Sequence, residues 1–448
     1  MTPRPTRQDL AEAGAAARVT LPPTSLGAWH PADDRPDPVA LLEGQAVTRL
    51  PELVPVRYGR MGVSPFTFYR GAALPMASDL AADPSSGIIV QLCGDAHLSN
   101  FGLFASPERA ELFDINDFDE TLHGPFEWDL KRLAASLVVA GRSRGFAAHD
   151  SRHAVHRAMR SYRERMAEYA SMRAIDVYYS SVSVSSILTF VNKRARPMIE
   201  GAVRSAAHHD ALHEWSKLTA LVDGKRVIVD RPPVIVHRPE VDDPLVASVL
   251  AMYRDSLQED RRVLLDRYRI VDYAMKVVGV GSVGLAAFAV LLDSGSGDDP
   301  LFLQVKEAEA SVYERFLNPS LQPSHGARVV AGQRRLQAAG DIFLGFAVGR
   351  RGRHVYIRQL QDQKASAVVE AMTEDDLVTW GELCGWALAR GHARSGEPAT
   401  LAGYLGDDET FDHALGLFAE AYADQTERDF DAFSAAIKSG RITAEAGV

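Results

Sequence analysis

The order of secondary-structure patterns along the chain is the feature that most constrains its fold. Residues 128–169 have helical periodicity, and further helical sequence follows to about residue 269. Residues 272–306 are instead strand-rich and punctuated by glycine, and helical patterns return at 373–394 and 408–438. Because an apolar period near 3.6 indicates helices and short apolar runs between turn residues indicate strands, we predict an α+β protein. A small β-rich unit interrupts a larger helical one.

This pattern divides the chain into four segments. Residues 1–50 are predicted to form a proline-rich extension, since seven prolines interrupt any long helix there. Residues 51–270 form a large unit with strand candidates at 87–93, 101–105 and 110–115. Residues 271–372 form the β-rich unit, with another strand candidate at 354–360, and residues 373–448 return to the large unit as helices.

Composition excludes several classes of protein. The 448 residues carry a formal net charge of −10, which argues against a broad nucleic-acid-binding surface. The two cysteines, Cys93 and Cys384, are too few for a disulfide framework or a zinc motif. We find neither a signal-peptide pattern at the N-terminus nor an uninterrupted apolar run of membrane-spanning length. We therefore expect a cytoplasmic protein with no membrane or nucleic-acid partner.

The segment Gly94–Asn100, GDAHLSN, directly follows a predicted buried strand. Asp95 and Asn100 are five residues apart, as in a kinase catalytic loop, where the aspartate accepts the proton of the attacking hydroxyl and the asparagine holds Mg²⁺. We predict Asp95 as the catalytic base and Asn100 as a metal ligand. The alternative is a polar turn in which both side chains cap backbone groups.

A cluster of acidic residues follows at 114–120, where the second predicted hairpin strand ends. Mg²⁺ prefers oxygen ligands, and crowded aspartates repel one another unless a cation lies among them. Asp117, in Asp117-Phe118, is the preferred metal ligand. Asp114 remains the alternative ligand because it lies 14 residues after Asn100, closer to the usual kinase spacing than Asp117. A solvated acidic turn would also explain the segment.

The β-rich unit begins with a glycine-rich sequence, and we predict that Gly279, Gly281, Ser282 and Gly284 bind nucleotide phosphates. A dinucleotide-binding fold would need a helix next and an acidic residue about 20 residues on. The chain has instead a short apolar run, a turn and a strand that ends in Lys306. Glycine loop, turn and lysine strand is the order of the first three kinase strands, in which the lysine pairs with phosphates. A surface lysine is the alternative.

The acidic partner of Lys306 is left open. Glu314 lies eight residues further on, whereas the predicted helix at 325–339 contains no acidic residue. Either Glu314 pairs with Lys306 from a short helix, or the usual ion pair is missing. His392 and Arg394 end a later helix, where contact with substrate and contact with the helix dipole are both possible.

Gly94–Asn100 resembles the loop His-Gly-Asp-x-His-x-x-Asn of aminoglycoside and choline kinases, with Cys93 in place of the first histidine. Asp129, which opens the next predicted helix, resembles the Asp-Leu that follows in aminoglycoside kinases. The catalytic-loop and metal motifs precede the glycine loop and Lys306 by about 180 residues, which reverses the kinase order. The resemblance therefore implies a two-lobed protein-kinase-like fold whose lobe order is circularly permuted.

Several stretches also resemble a bacterial family called domain of unknown function 2252, over roughly residues 50–440. They are residues 64–71, 94–100, 116–120, 128–132, 306–308 and 383–390. The resemblance implies a place among the kinase-like folds but no known substrate. Ala331 stands where the family is expected to carry an acidic residue, which again concerns the partner of Lys306.

These motifs together predict a phosphotransferase that uses ATP and Mg²⁺ and acts on an unknown hydroxyl, of a small molecule or a protein. Two alternatives use the same residues: a pseudokinase that binds nucleotide without turnover, and an enzyme that transfers AMP. A nicotinamide oxidoreductase is disfavoured, because the glycine loop lacks the following helix and acidic residue.

Overall fold

The computed structural model describes residues 4–191, 194–207, 217–222, 225–239, 241–277, 279–295, 299–349, 352–360 and 365–447. Parts of the sequence predictions lie outside these ranges, among them Val278 in the glycine loop, residues 296–298 in the turn before the lysine strand, and residues 192–193 and 208–216 of the predicted helical sequence. The described part of the chain is α+β, and all of its sheets are antiparallel, so the predicted fold class is confirmed at this level.

The helices, numbered in chain order, are α1 Arg7–Thr20, α2 Pro38–Ala46, α3 Val54–Met61, α4 Pro65–Gly71, α5 Ala73–Ala82, α6 Phe126–Arg144, α7 Ala148–Ser171, α8 Ala174–Tyr179, α9 Val184–Phe190, α10 Arg196–Ala207, α11 Asp243–Asp255, α12 Glu259–Leu265, α13 His325–Leu336, α14 Glu374–Ser395, α15 Pro398–Leu405 and α16 Thr410–Lys438. The strands are β1 Ile89–Leu92, β2 Phe101–Ala105, β3 Glu111–Ile115, β4 Leu122–Pro125, β5 Thr219–Val222, β6 Lys225–Ile228, β7 Ile235–Val236, β8 Arg269–Lys276, β9 Ala287–Asp293, β10 Pro300–Glu307, β11 Gly345–Val348, β12 His354–Gln359 and β13 Ala365–Ser366.

The predicted β-rich unit contributes most of a six-stranded antiparallel sheet in the order β11-β12-β10-β9-β8-β7, and the edge strand β7 comes from residues before that unit. The glycine-rich segment joins β8 to β9, Lys306 lies near the end of β10, and α13 comes between β10 and β11. One face of the sheet packs against α11 and α12 through Tyr253 and Leu265, next to an apolar cavity of about 360 Å³. The opposite face carries Lys306 and Tyr356, which are register partners.

The helical unit is built around the longest helices. The largest apolar cluster draws on α6, α7, α14 and α16 together with β1, β2 and β3. Helices α7 and α14 approach closely because Gly385 leaves room for the backbone of the facing helix: a Cβ at Gly385 would lie 2.2 Å from the carbonyl oxygen of Ala158. Within the described ranges, we find no helix with the length and apolar character needed to span a bilayer.

The N-terminal segment is more ordered than its prolines suggest. Helix α1 begins and ends between Pro5 and Pro22, and α2 begins at Pro38. Proline is tolerated in the first turn of a helix, where its missing N–H would have no intrahelical partner, so proline content alone does not exclude helices. Helix α1 packs closely on α15, with the Gly14 position against the Thr400 backbone.

The close helix contact at Gly385 generates a matched pair of predictions. Gly385→Ala forces a backbone shift against Ala158 and is expected to lower the free energy of unfolding by about 1–3 kcal/mol. Gly44→Ala, in α2, meets no atom within 4 Å and is expected to raise it by up to about 1 kcal/mol, because alanine is the better helix former. Urea unfolding of both variants measures the difference, and equal effects would contradict the packing described here.

Candidate active site

The loop after β1 turns sharply at Gly94 so that Asp95 faces a pocket. Gly94 has φ +92°, and a Cβ there would lie 2.2 Å from the carbonyl oxygen of Glu120. The turn therefore requires glycine. It places Asp95 beside the acidic segment at 117–120, which closes the gap between β3 and β4.

Asp129, in the first turn of α6, holds this loop in place. Its carboxylate accepts hydrogen bonds from the backbone N–H groups of Cys93 (2.8 Å) and Gly94 (3.0 Å). His392 Nε2 lies 3.2 Å from the same carboxylate, and His392 Nδ1 lies 2.9 Å from the hydroxyl of Tyr162. His392 is fully buried. It therefore positions Asp129 and does not face the pocket, and Cys93 contributes its backbone to the loop.

The Asp95 carboxylate is oriented by an arginine of α6. Arg132 Nε donates to Asp95 Oδ1 at 2.8 Å, and Arg132 Nη2 donates to the carbonyl of Tyr69. The guanidinium also lies over the Tyr69 ring, 3.9 Å from its centroid. Arg132 has no exposed surface, whereas the Asp95 side chain keeps 18% of its surface exposed. The carboxylate is thus held in one orientation with access to the pocket.

Asn100 is tied to the same loop by its amide nitrogen. Its Nδ2 donates to the carbonyl of Asp95 at 2.8 Å, and its own carbonyl accepts from the backbone N–H of Asn116 at 2.8 Å. Because the amide nitrogen is engaged and no donor in the described part of the chain contacts the side-chain oxygen, this oxygen is available as an acceptor. Oxygen donors of this kind suit a hard cation such as Mg²⁺.

The acidic segment contacts the six-stranded sheet through Asp119. Its carboxylate forms a salt bridge with Lys306 and accepts hydrogen bonds from the hydroxyls of Tyr356 (2.8 Å) and Ser282 (3.0 Å). Asp117 Oδ1 accepts from the backbone N–H of Asp119 at 3.1 Å. Residues from the acidic loop, the glycine loop, β10 and β12 therefore converge on one carboxylate.

The pKa values of Asp117 and Asp119 are shifted in opposite directions. Burial raises the pKa of Asp117, and the negative charge of Asp119 raises it further. Burial would also raise the pKa of Asp119, but the Lys306 ammonium outweighs it and lowers that pKa. Glu120, next in the chain, has its pKa raised to about 7, mainly by burial. The pocket thus contains more acidic groups than Lys306 alone neutralises.

Asp114 has a different environment, which sets it apart from Asp117 as a candidate ligand. Its carboxylate accepts two hydrogen bonds from Arg390, at 2.7 and 2.8 Å, and one from the backbone N–H of Ala338 at 2.9 Å. Arg390 is fully buried and Asp114 is 1% exposed. This carboxylate is committed to a core ion pair and does not line the pocket, so we keep Asp117 as the predicted ligand.

The glycine loop rests on residues that follow the N-terminal helices. The backbone N–H of Leu50 donates to the carbonyl of Gly284 at 2.8 Å, and Arg60 donates to the carbonyl of Gly279 at 2.6 Å. Gly279 and Gly284 both have positive φ, and a Cβ at Gly284 would lie 2.9 Å from Arg49 Cβ. Glycine at 284 thus lets the loop lie directly on the Arg49 side chain.

These elements enclose one polar pocket. Its lining includes Asp95, Asn100, Asp117, Gly279, Gly281 and Ser282 among the predicted site residues, together with Gln45, Arg49, Arg70, His97, Asp119, Glu120, Val280, Leu285, Glu307, Ala308, Glu309 and Ala310. Lys306 is 3% exposed and reaches the pocket through Asp119, and Gly284 lies behind Arg49. Asp114, His392 and Arg394 are not part of the lining.

A family model described as an uncharacterized protein conserved in bacteria, DUF2252, matches residues 49–436. The chain belongs to this family. No curated protein and no solved structure matches it. The matched region begins at Arg49, so it includes every residue of the pocket lining except Gln45. The DUF2252 description names no activity, so the chemistry of the pocket has to be argued from its own residues.

Of the two alternatives that the sequence left open, the structure shows the second: Lys306 pairs with Asp119, and the usual lysine–glutamate ion pair is missing from the described residues. Helix α13 follows the lysine strand but has no acidic residue, and Ala331 lies within it. Glu314 lies in a 3-10 helix, with Oε1 3.4 Å from Arg328 Nε. Asp119 takes the pairing role from the opposite side of the pocket. The sequence shows that Asp119 belongs to an acidic cluster, but it does not show that Asp119 lies next to Lys306 in the fold.

Sequence reasoning also missed Gln45, Arg49 and Arg70. They belong to α2, α4 and the segment between α2 and α3, and they enter the pocket only because this region packs under the glycine loop. We find no motif in the sequence around them that would have identified them. Arg394, one of the residues considered for substrate contact, donates to the carbonyl of Gln337 and lies over the Tyr178 ring.

The Lys306–Asp119 pair generates a prediction that differs from that for a surface lysine. Lys306→Met leaves the partly buried Asp119 without its cation and is expected to lower the free energy of unfolding by up to about 3–5 kcal/mol. Adding Asp119→Asn removes that charge and is expected to recover most of the lost free energy of unfolding. A double-mutant cycle by urea unfolding measures the coupling. Additive effects of the two substitutions would contradict a direct ion pair.

Proposed function

We propose that this protein is a phosphotransferase that uses a nucleoside triphosphate, ATP, with Mg²⁺ and acts on a hydroxyl acceptor. The observation that carries the proposal is the pocket itself. It combines a carboxylate and an amide oxygen from one loop, Asp95 and Asn100, with a second carboxylate, Asp117, and the glycine loop 279–284. Phosphoryl transfer depends mainly on positioning and on stabilising charge, and these are the groups that it requires.

The donor set fits Mg²⁺. Asn100 offers its free side-chain oxygen, and Asp117 offers carboxylate oxygens from a strand end beside it. The raised pKa of Asp117 reflects burial and the negative charge of nearby Asp119, and a divalent cation would relieve this repulsion. When bound, the metal would neutralise charge on the nucleotide phosphates; Asn100 and Asp117 would hold it.

The Lys306–Asp119 pair explains why nucleotide and metal should bind together. In a kinase-like site the lysine pairs with phosphate oxygens, so Lys306 has to exchange the Asp119 carboxylate for phosphate. Asp119 would then be left without a cation in a largely buried position, which is costly. A divalent cation held by Asn100 and Asp117 would offset that cost.

Asp95 is placed to act as the general base. It would accept the proton of the acceptor hydroxyl as the new P–O bond forms, while the bond from the terminal phosphorus to the bridging oxygen breaks and its electron pair remains on ADP. Arg132 fixes the orientation of the carboxylate. The acceptor, a small molecule or a protein, would reach Asp95 through the part of its side chain that stays exposed.

The chain order supports a circular permutation of the kinase-like arrangement. The catalytic-type loop and acidic segment, at 94–120, come first, and the glycine loop, lysine strand β10 and helix α13 follow at 279–336. Helices α14 to α16 then return to the apolar cluster that supports β1–β3. The six-stranded sheet corresponds to a small lobe and the helical unit to a large one under this proposal.

Two alternatives remain within the same chemistry. The absence of an acidic residue from α13 favours a pseudokinase that binds nucleotide without turnover, because the usual lysine–glutamate pair is replaced by Lys306–Asp119. Transfer of AMP would use the same pocket. The mass of a modified acceptor, larger by one phosphate or by one AMP, distinguishes the two reactions.

Nucleotide binding is expected to depend on the metal. ATP at 100 times its dissociation constant should stabilise the protein by about 2.7 kcal/mol in the presence of Mg²⁺, and much less with EDTA. Asp95→Asn should keep this stabilisation and lose transfer, whereas Asp117→Asn should lose both. Asp176→Asn, at an exposed ion pair with Arg173, is the matched control. Thermal unfolding measures binding, and an unchanged melting temperature with MgATP, alongside a clear shift with NAD, would refute the proposal.

A further inference from the structure

Two arginines line the pocket without a carboxylate partner. Arg49 is 6% exposed and Arg70 is partly buried, and both belong to the region that packs under the glycine loop. Among the described residues, no carboxylate oxygen lies within 4.0 Å of either guanidinium. Two other buried arginines do have a carboxylate partner: Arg132 pairs with Asp95, and Arg390 pairs with Asp114.

The hydrogen bonds of these arginines leave donors unused. Arg49 Nη1 donates to the carbonyl of Val283 in the glycine loop, while its Nε is buried and has no partner in the described structure. Arg70 Nε is likewise buried with no partner there. Arg57, which is 1% exposed and lies behind Arg49, also lacks a carboxylate and keeps Nε and Nη1 unpaired within the described residues.

Such an arrangement is energetically unfavourable without an anion. Burial lowers the pKa of Arg49, Arg57 and Arg70, yet a guanidinium stays protonated in proteins. Burying an unpaired charge costs several kcal/mol, so buried cations are normally paired. The carboxylates whose charge acts on Arg49 are Glu309, Glu120 and Asp119, and those that act on Arg70 are Asp95 and Glu370. None of them lies within salt-bridge distance of either guanidinium, and Asp119 is engaged with Lys306 and Asp95 with Arg132.

The positions of the two arginines indicate where an anion would lie. Arg49 lies beneath Gly284, and the backbone carbonyl of Arg70 lies 3.2 Å from the Cβ position of Gly281, so both are under the glycine loop. The charge of Asp95 raises the pKa of Arg70, and the charge of Arg70 lowers the pKa of His97. Arg70 therefore lies on the Asp95 side of the pocket. An anion between them would be next to the proposed general base.

We propose that Arg49 and Arg70 form an oxyanion site that binds a phosphate group beside Asp95. The inference rests on the proposed function, and it assigns to Arg49 and Arg70 the neutralisation of phosphate charge that Lys306 alone does not provide. Guanidinium groups match phosphate oxygens with paired N–H donors. The phosphate is either the terminal group of the nucleotide or one carried by the acceptor. In the first case the arginines stabilise the transferred group, as an arginine supplied in cis does in other phosphotransferases.

Calorimetric titration of the full chain tests this site. The ligands are orthophosphate alone, MgADP, and Mg²⁺ with the non-hydrolysable analogue AMPPNP, followed by orthophosphate added to the AMPPNP complex. Arg70→Gln is the main variant because its side chain is only partly buried. Arg49→Gln is the second variant, and Arg152→Gln, at an exposed ion pair with Glu420, is the matched control.

If the site binds the nucleotide's own terminal phosphate, Arg70→Gln weakens AMPPNP binding about 10–100-fold and leaves MgADP binding nearly unchanged. If it binds a phosphate on the acceptor, orthophosphate binds on top of AMPPNP and this binding is lost in the variant. Either result supports the site. Unchanged affinities for AMPPNP and orthophosphate in both arginine variants would overturn it.

The same titrations distinguish a failure of the proposed function from a failure of the oxyanion site. A protein that binds neither nucleotide, yet binds orthophosphate alone in a manner that depends on Arg70, is not an ATP-dependent phosphotransferase but still has the oxyanion site. A protein that binds MgADP and AMPPNP equally in the wild type and in the variants, and takes no orthophosphate, keeps nucleotide binding and loses the oxyanion site.

Discussion

The buried ion pair between Lys306 and Asp119 is the interaction on which the site depends. It joins β10 of the six-stranded sheet to the acidic segment of the helical unit, from positions 187 residues apart. Tyr356 and Ser282 bond to the same carboxylate, so strand β12 and the glycine loop are held there as well. This contact, together with the hydrogen bonds from Leu50 and Arg60 to the glycine loop, holds that loop at the pocket that Asp95 and Asn100 line.

The aspartates of this region have different roles because their surroundings differ. Asp114 is paired with a fully buried arginine and stabilises the core. Asp129 accepts two backbone N–H groups and fixes the catalytic-type loop. Asp117 has fewer stabilising contacts and a raised pKa, which is the state expected of a carboxylate that lacks a cation. Asp119 forms an ion pair with Lys306.

Much of this could be predicted from sequence because the signals are local. The strand before Asp95, the hairpin of β2 and β3, and the strand that carries Lys306 all follow from apolar runs bounded by turn residues. The helical stretch at 128–169 is interrupted at Gly145, where φ is +77° and α6 ends. Local sequence patterns predict the type of a secondary-structure element more reliably than the residue at which it ends.

The rest could not be predicted because it depends on contacts between distant segments. The partner of Lys306, the core role of Asp114 and the place of Arg49 and Arg70 under the glycine loop all join parts of the chain with no shared motif. The N-terminal segment shows the same limit. Its prolines gave no sign of helices α1 and α2 or of the contribution of Gln45 and Arg49 to the pocket lining.

The most direct test of the proposed site is a crystal structure of the protein with Mn²⁺ and AMPPNP, with the metal located by its anomalous scattering. The account predicts a peak within about 2.0–2.6 Å of the Asn100 side-chain oxygen and an Asp117 oxygen. It also predicts phosphates beneath Gly279–Gly284 and Lys306 in contact with phosphate oxygen in place of Asp119. Nucleotide in the apolar cavity beside α11, or metal away from Asn100 and Asp117, would contradict it.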